Sequence, residues 1–407
     1  MYIKRKLESK IHKYLDSPEI IAVVGPRQCG KSTMLNAILS KLENVSFVNF
    51  EDRAALNMFS KNIDDFIALY VKNKSYLFID EFQYAKNGGK KLKYIFDTNK
   101  IKIFISGSSA IDLTVNALKF LVGRIFVFQL QPLDFEEFLS YKDQALSQFL
   151  KKEKMLFRKL QTSQIGEEVN EKLNYAFEEY ALFGGYPRVV LAKDEEEKKE
   201  VLKNIYNTYF LREVRDILGL IDDWKLEKMI KALALQIGNL IEYNELGRIA
   251  EFSYPTLKKY LNFLEKTFVC SFVRPFYKNK RTEIVKNPKT YFFDSGLRNI
   301  IVSDFRKLSE RGDGGQLLEN AVFMELTKSG TFFNFWRDKK KNEVDFVLQL
   351  PNQQWLGLEV KSTLKNIGST SLANFKKNYP EISVVFVCLK TKLKVKGAEK
   401  IYPAYLI

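Results

Sequence analysis

The stretch EIIAVVGPRQCGKSTMLNAIL, Glu19 to Leu39, constrains the fold more than any other part of the chain. Its apolar run from Ile20 to Val24 predicts a buried strand, Gly25 and Pro26 predict a turn, and a helix is expected from about Lys31. A strand that ends in G-x-x-x-x-G-K-S and turns straight into a helix calls for an α/β sheet with a phosphate at its edge. Gly25 and Gly30 allow backbone conformations that aim successive N–H groups at a phosphate, and the helix N-terminus adds partial positive charge. The loop Gly25, Pro26, Arg27, Gln28, Cys29, Gly30, Lys31, Ser32 and Thr33 is therefore expected to bind ATP. Lys31 would reach the β and γ phosphates, and the Ser32 hydroxyl would ligate Mg2+.

A second buried strand is predicted at Tyr76–Ile79, and it ends in two adjacent acids, Asp80 and Glu81. In a parallel sheet the strand ends gather at one edge, so Asp80 is expected to hold the Mg2+ water shell and Glu81 to orient an attacking water. A third strand, IKIFISGSSA, ends in small hydroxyl residues. Ser106 or Ser108 would sense the γ-phosphate there, or serve as an ordinary helix cap.

The chain has 407 residues and is 46% apolar, enough for two or three domains with real cores. Lys and Arg number 65 against 49 Asp and Glu, and this net charge of +16 favours polyanionic partners. Nucleic acid is the expected partner, DNA rather than RNA. Three cysteines far apart in sequence, Cys29, Cys270 and Cys388, argue for reduced, intracellular thiols. A single histidine, His12, excludes any mechanism that needs a histidine triad or a multi-histidine metal site. The N-terminal segment lacks the continuous apolar core of a signal peptide, and no apolar run reaches the ~18 residues of a membrane span. A cytoplasmic protein without a membrane partner is expected.

Together GPRQCGKST, LFIDEFQ, FISGSSA and LVGRIFVFQLQPLDFEEFL resemble the archaeal and bacterial AAA-type P-loop ATPases whose C-terminal half is a domain of unknown function. The resemblance covers most of the chain and implies Mg2+-dependent ATP hydrolysis. It places Arg124 in a glycine-arginine pair, as a residue that contacts the nucleotide or couples it to the next domain; a structural ion pair is the alternative. AAA-type sites often borrow an arginine from a neighbour, which makes a homo-oligomer an open expectation. FGGYPRVV (Phe183–Val190), YFLREVRDIL (Tyr209–Leu218) and KTYFFDSGLRN also resemble family signatures, the first two read as inter-domain packing or a substrate-contact loop.

Farther along, residues 141–171 are rich in Lys, Gln and Glu at helical spacing, and Ala192–Glu200 is a solvated charge run. A short helix at Glu245–Ala250 and a second one started by Pro255 predict a winged helix. Leu257, Tyr260, Leu261 and Leu264 would face inward, leaving Lys258, Lys259 and Asn262 outward, and the basic turn Lys278–Arg281 would form the wing. The same fold can instead serve as a protein-docking module.

In EVDFVLQLPNQQWLGLEVK, Val344, Phe346 and Leu348 alternate with Glu343 and Asp345, while Leu356, Leu358 and Val360 alternate with Glu359 and Lys361. A hairpin centred on Asn352 pairs Asp345 with Glu359; a symmetric loop of Pro351–Gln354 would not, unless a bulge restored the parity. Asp345 and Glu359 would then bind Mg2+, with Lys361 catalytic beside a phosphodiester. The D…E-x-K pattern resembles the restriction-endonuclease-like superfamily, in which a preceding helix often adds an acid, here Glu319. Lys390, Lys392, Lys394 and Lys396 on a late strand would track a phosphate backbone or blunt a sheet edge.

The expected architecture is thus an α/β AAA-type P-loop domain (1–165), a helical linker (166–235), a winged helix (236–303) and a nuclease-like α/β domain (304–407). The expected function is ATP hydrolysis that controls DNA engagement, with a metal-dependent nuclease site at the C-terminus. The alternative is a nucleotide-switched DNA- or protein-binding module whose nuclease-like domain is inactive.

Overall fold

Five apolar pentads and hexads of the first 130 residues line up as one parallel sheet: β1 (Ile20–Val24), β2 (Val45–Asn49), β3 (Tyr76–Asp80), β4 (Lys102–Gly107) and β5 (Ile125–Gln129). Their order across the sheet is β2-β3-β4-β1-β5. Parallel strands need cover on both faces, and their side chains divide accordingly. Ile20, Ala22, Val24, Leu77, Ile79, Ile103 and Ile105 pack with Phe50, Phe59, Phe66 and Phe82. Ile21, Val23, Phe78 and Phe104 pack with Met34, Leu35 and Ile38 of the helix Lys31–Leu39. The inner strand β1, flanked by β4 and β5, is buried along its whole length, so its C-terminal end delivers the glycine loop to a rigid edge.

This computed structural model describes residues 2–107, 118–158, 165–210, 223–350, 353–362, 370–391, 394–396 and 399–407. Ser108, Lys392 and the part of YFLREVRDIL beyond Phe210 lie outside them, and of Lys394 and Lys396 only the backbone is described. Two compact units are formed, Met1–Pro132 with Lys266–Phe268, and Leu133–Glu265 with Val269–Ile407. Cys29, Cys270 and Cys388 are buried free thiols. Among the described residues no helix is long and apolar enough to cross a membrane.

The second unit contains a two-stranded ribbon, β6 (Cys270–Val273) with β7 (Lys289–Phe292), and a six-stranded mixed sheet. The six are β8 (Phe332–Arg337), β9 (Glu343–Gln349), β10 (Trp355–Lys361), β11 (Ser383–Cys388), β12 (Lys394–Lys396) and β13 (Glu399–Pro403), in the order β12-β13-β11-β10-β9-β8. Leu372 and Phe375 of the helix Thr370–Asn378 enter a core with Trp336, Val344, Val347, Val384 and Phe386. The helix Gly314–Lys328 packs against β8, β10 and β7.

Before the ribbon stand two helices, Tyr243–Ala250 and Tyr254–Lys266, separated by a turn with Glu251 in the left-handed region (φ 54°). Leu257, Tyr260, Leu261 and Leu264 are buried, while Lys259 and Asn262 are exposed, as their spacing requires. The basic turn differs from expectation. Asn279 accepts a hydrogen bond from the Arg281 N–H at 3.0 Å and caps a short helix, Lys280–Val285, so KNKR lies in the connection between β6 and β7 but opens a helix there. An asparagine followed by helix-tolerant residues is a start signal, and it prevails over the basic composition.

Candidate functional site

The glycine loop leaves the C-terminal end of β1 with no room for a side chain at its first residue. A Cβ on Gly25 would lie 1.9 Å from the Leu130 carbonyl oxygen. Gly30, at φ 94°, caps the helix Lys31–Leu39 in the left-handed region. Lys31 is buried and donates to the Gly25 and Pro26 carbonyls at 3.0 and 2.9 Å, so its ammonium is held over the loop. An anchor that the sequence reading missed comes from the N-terminal helix. Buried Arg5 donates to the Cys29 carbonyl at 2.8 Å and the Gln131 carbonyl at 2.7 Å, pinning the loop to the end of β5. Its signal, a basic KRK run, is indistinguishable in sequence from a solvated tail. Replacing Arg5 by alanine removes two charge-assisted hydrogen bonds and should cost about 2 kcal/mol. Urea unfolding of the variant checks this, and a loss under 0.5 kcal/mol, on the order of a surface substitution, would remove Arg5 from the anchor.

Asp80 ends β3, two strands from the loop, with Ser106 of β4 beside it. Both are buried, and the Ser106 hydroxyl donates to the Asp80 carboxylate, which also accepts the Glu81 N–H at 3.1 Å. Ser106 lies inside a strand and orients a carboxylate, so its helix-cap reading lapses. Glu81 takes a left-handed backbone, φ 54°, and its carboxylate accepts from the Gln83 amide. A non-glycine residue there carries strain of about 1 kcal/mol or more, which clusters at functional edges.

For Arg124 the geometry favours the structural ion pair among the expected readings. It precedes β5, whose residue Ile125 pairs with Ile20 at the start of β1, whereas the loop follows Val24 at the other end. Five strand residues at about 3.3 Å each separate the two ends by roughly 16 Å. Its guanidinium pairs with Asp97 at 2.9 Å, so within one chain Arg124 makes a structural ion pair and does not join the loop.

In the C-terminal sheet the hairpin takes the register that the alternation demanded. Gln349 pairs with Trp355, Leu348 with Leu356 and Phe346 with Leu358, a register centred on position 352. One step further, the Asp345 N–H donates to Glu359 at 3.4 Å and the Val360 N–H donates to Asp345 at 2.8 Å. Lys361 donates to Glu359 at 2.5 Å. Glu319, on the helix Gly314–Lys328, approaches from the other side, but it meets these acids through a residue that the sequence reading did not single out.

That residue is Lys289 of β7, 1% exposed. Its ammonium lies 3.0 Å from Glu319, contacts Glu343 and stands 3.9 Å from Asp345. Tyr291, two residues on and so on the same strand face, donates its hydroxyl to Glu319. Burial alone would lower the Lys289 pKa, yet Glu319, Asp345 and Glu343 outweigh it and hold the group above its ordinary value. Burial raises Glu319 to about 7 and Glu359 to about 8, the latter with help from Asp345. Among the described residues no three carboxylate, thiol or imidazole groups converge so as to hold a metal ion. Where Glu319, Asp345 and Glu359 were expected to hold a metal, the fold places the Lys289 ammonium among the carboxylates. The available signal was a lysine opening the apolar strand KTYFF, which β propensity alone leaves unexplained.

Two sequence signatures without evident chemistry turn out to bind each other. Asp294, in YFFDSG, is buried, caps the helix Ser295–Val302 through the Leu297 N–H at 3.0 Å, and accepts the Gly185 N–H at 2.7 Å. A Cβ on Gly184 would lie 2.0 Å from Asp294, and one on Gly296 would lie 2.1 Å from the Phe183 carbonyl. Asn320 extends this clasp by bonding both backbone groups of Phe292, at 2.8 and 3.1 Å. Asp294→Ala would strand two buried N–H groups, a loss of about 3 kcal/mol. Chemical denaturation of the second unit measures it, and stability within 0.5 kcal/mol, roughly that of a surface change, would overturn the clasp.

Residues 17–139 match the family model described as AAA domain, residues 174–308 one described as a domain of unknown function (DUF8612), and residues 314–407 another (DUF4143). The chain is similar to an uncharacterized protein of Methanocaldococcus jannaschii, 28% identical over 364 residues, covering 86% of this chain and 76% of the relative. It is also similar to an uncharacterized protein of Haemophilus influenzae, 26% identical over 415 residues, covering 96% and 94%. Among solved structures, a Walker-type ATPase of Pyrococcus abyssi is 18% identical with a TM-score of 0.47, covering 74% of this chain and 96% of that one.

Proposed function

We propose, for this AAA-type P-loop ATPase with its C-terminal domain of unknown function, that Mg2+-dependent ATP hydrolysis governs engagement of DNA by a nucleotide-switched binding module. The residues at the sheet edge fit a nucleoside triphosphate with Mg2+. A loop with no space for a Cβ at Gly25 lets backbone N–H groups come close to phosphates, and Lys31 adds charge over the same loop. Ser32 and Asp80 would hold Mg2+, which supplies charge neutralisation on the phosphates. Glu81, next to Asp80, would orient the attacking water.

The reading of DNA engagement is carried by the exposed face of the helix Tyr254–Lys266. Lys258 lies 3.6 Å over the Tyr243 ring, Tyr254 is 55% exposed, and Lys259 and Asn262 project from the same helix. Cation and aromatic groups on an exposed helix suit phosphate and base contacts, and the net charge of +16 favours a polyanion. Fluorescence anisotropy with labelled duplex DNA tests this. With about three phosphate contacts, affinity should fall roughly 40-fold between 50 and 200 mM salt, and it should differ between ATP-analogue and ADP states. Salt-independent binding would point to a protein partner instead.

The non-cleaving reading is favoured over a nuclease by one observation, the Lys289 ammonium among Glu319, Glu343 and Asp345. A matrix of DNA cleavage assays across Mg2+, Mn2+, ATP and ADP is expected to give no cutting. Divalent-dependent cleavage that Asp345→Ala abolishes, with ATP hydrolysis preserved, would restore the nuclease.

A further inference from the structure

We propose that Lys289 is the resident cation of the C-terminal acid cluster, standing in the place of a divalent metal, so that removing it converts the cluster into a metal site. The charges support this. Four carboxylates, Glu319, Glu343, Asp345 and Glu359, meet three cationic side chains, Lys289, Lys361 and Arg337. With all four ionised one negative charge remains, and burial, which pushes Glu319 and Glu359 towards their protonated forms, lessens it further. Without Lys289 two remain, which a single divalent ion would neutralise.

Geometry points the same way. Lys289 does not flank the carboxylates but lies between them, bonded to Glu319 of a helix, in contact with Glu343 of β9 and 3.9 Å from Asp345 of the same strand. The ammonium donates to Glu319 and contacts Glu343, and at 3.9 Å it neutralises Asp345 through space, much as a small cation would. Its strand is held in place independently: Phe292 is clasped by Asn320, and the Gly238 N–H donates to the Thr290 carbonyl at 2.8 Å. Lys289 is therefore aimed into the cluster by backbone and does not merely fold onto it. The two-stranded ribbon and the six-stranded sheet share this one charge.

This inference deepens the non-cleaving reading, and its readouts use no DNA, so the two can fail separately. The nucleotide-free full chain is titrated with Mn2+ and followed by calorimetry and thermal unfolding. Wild type is expected to show no Mn2+-dependent stabilisation from the cluster. Lys289→Met is expected to lose roughly 10 °C of Tm by leaving buried carboxylates unpaired, to recover part of it with millimolar Mn2+, and to lose that recovery on adding Asp345→Asn. Lys289→Arg, which keeps the charge, should stay indifferent to Mn2+. Mn2+ stabilisation of wild type that Asp345→Asn removes would overturn the proposal, as would a folded Lys289→Met that gains no metal affinity. Should Lys289→Met fail to fold, the wild-type arm decides alone.

Discussion

Replacing Lys31 by alanine is expected to weaken ATP binding by at least about 100-fold. A unit charge about 4 Å from a phosphate, at an effective dielectric near 20, contributes about 4 kcal/mol, and each factor of ten in affinity is about 1.4 kcal/mol. A second effect works on the free protein. Lys31 also holds the Gly25 and Pro26 carbonyls, at 3.0 and 2.9 Å, and losing those two bonds costs about 1 kcal/mol each. The electrostatic loss is the larger, so the variant should still fold, about 2 kcal/mol less stable, while its nucleotide affinity falls far more. Gly25→Ala is the contrasting control: a methyl 1.9 Å from the Leu130 carbonyl cannot be accommodated, so fold stability and binding should fall together. Titration with a fluorescent ATP analogue, paired with thermal unfolding, separates the two. Unchanged ATP affinity in Lys31→Ala would sink the assignment of this loop.

Glu81→Gln is expected to leave ATP binding within about threefold and to lower turnover by roughly 10²- to 10⁴-fold, the range for loss of a positioned base. Glutamine has the same shape, can keep a hydrogen bond with Gln83, and meets the same backbone at φ 54°. What it loses is the negative charge that would align and activate water. Asp80, by contrast, is buried and tied to Ser106, so its removal should harm metal-dependent binding before turnover. Phosphate release under saturating ATP is the measurement. A kcat for Glu81→Gln within threefold of wild type would transfer the role to another group.

The nucleotide edge was readable because its chemistry is local. Gly25, Gly30 and Lys31 lie within seven consecutive residues, and the acids Asp80 and Glu81 close an apolar strand whose parallel placement follows from strand and helix alternation. The hairpin parity was readable for the same reason: side chains alternate with period two, so joining Asp345 and Glu359 on one face demanded a centre at position 352, and the register has it. For Arg124 the sequence left two readings open, because a short motif does not say which end of a strand it stands at. The helix that Lys280 opens was missed because charge was weighed above the cap supplied by Asn279.

What the sequence determined by itself were the elements with short-range causes: the phosphate loop, the strand that carries Asp80, the amphipathic helix Tyr254–Lys266 and the face that each hairpin acid takes. What only the tertiary structure decided was the company those residues keep. Lys289 reaches Glu319, Glu343 and Asp345 across separations of 30, 54 and 56 residues, and Asp294 reaches Gly185 across 109. No periodicity spans such distances. Whether a carboxylate is an open metal ligand or half of a buried ion pair depends on the charge that packing brings to it, and the burial that raises the cost of leaving it unpaired is created by the fold itself.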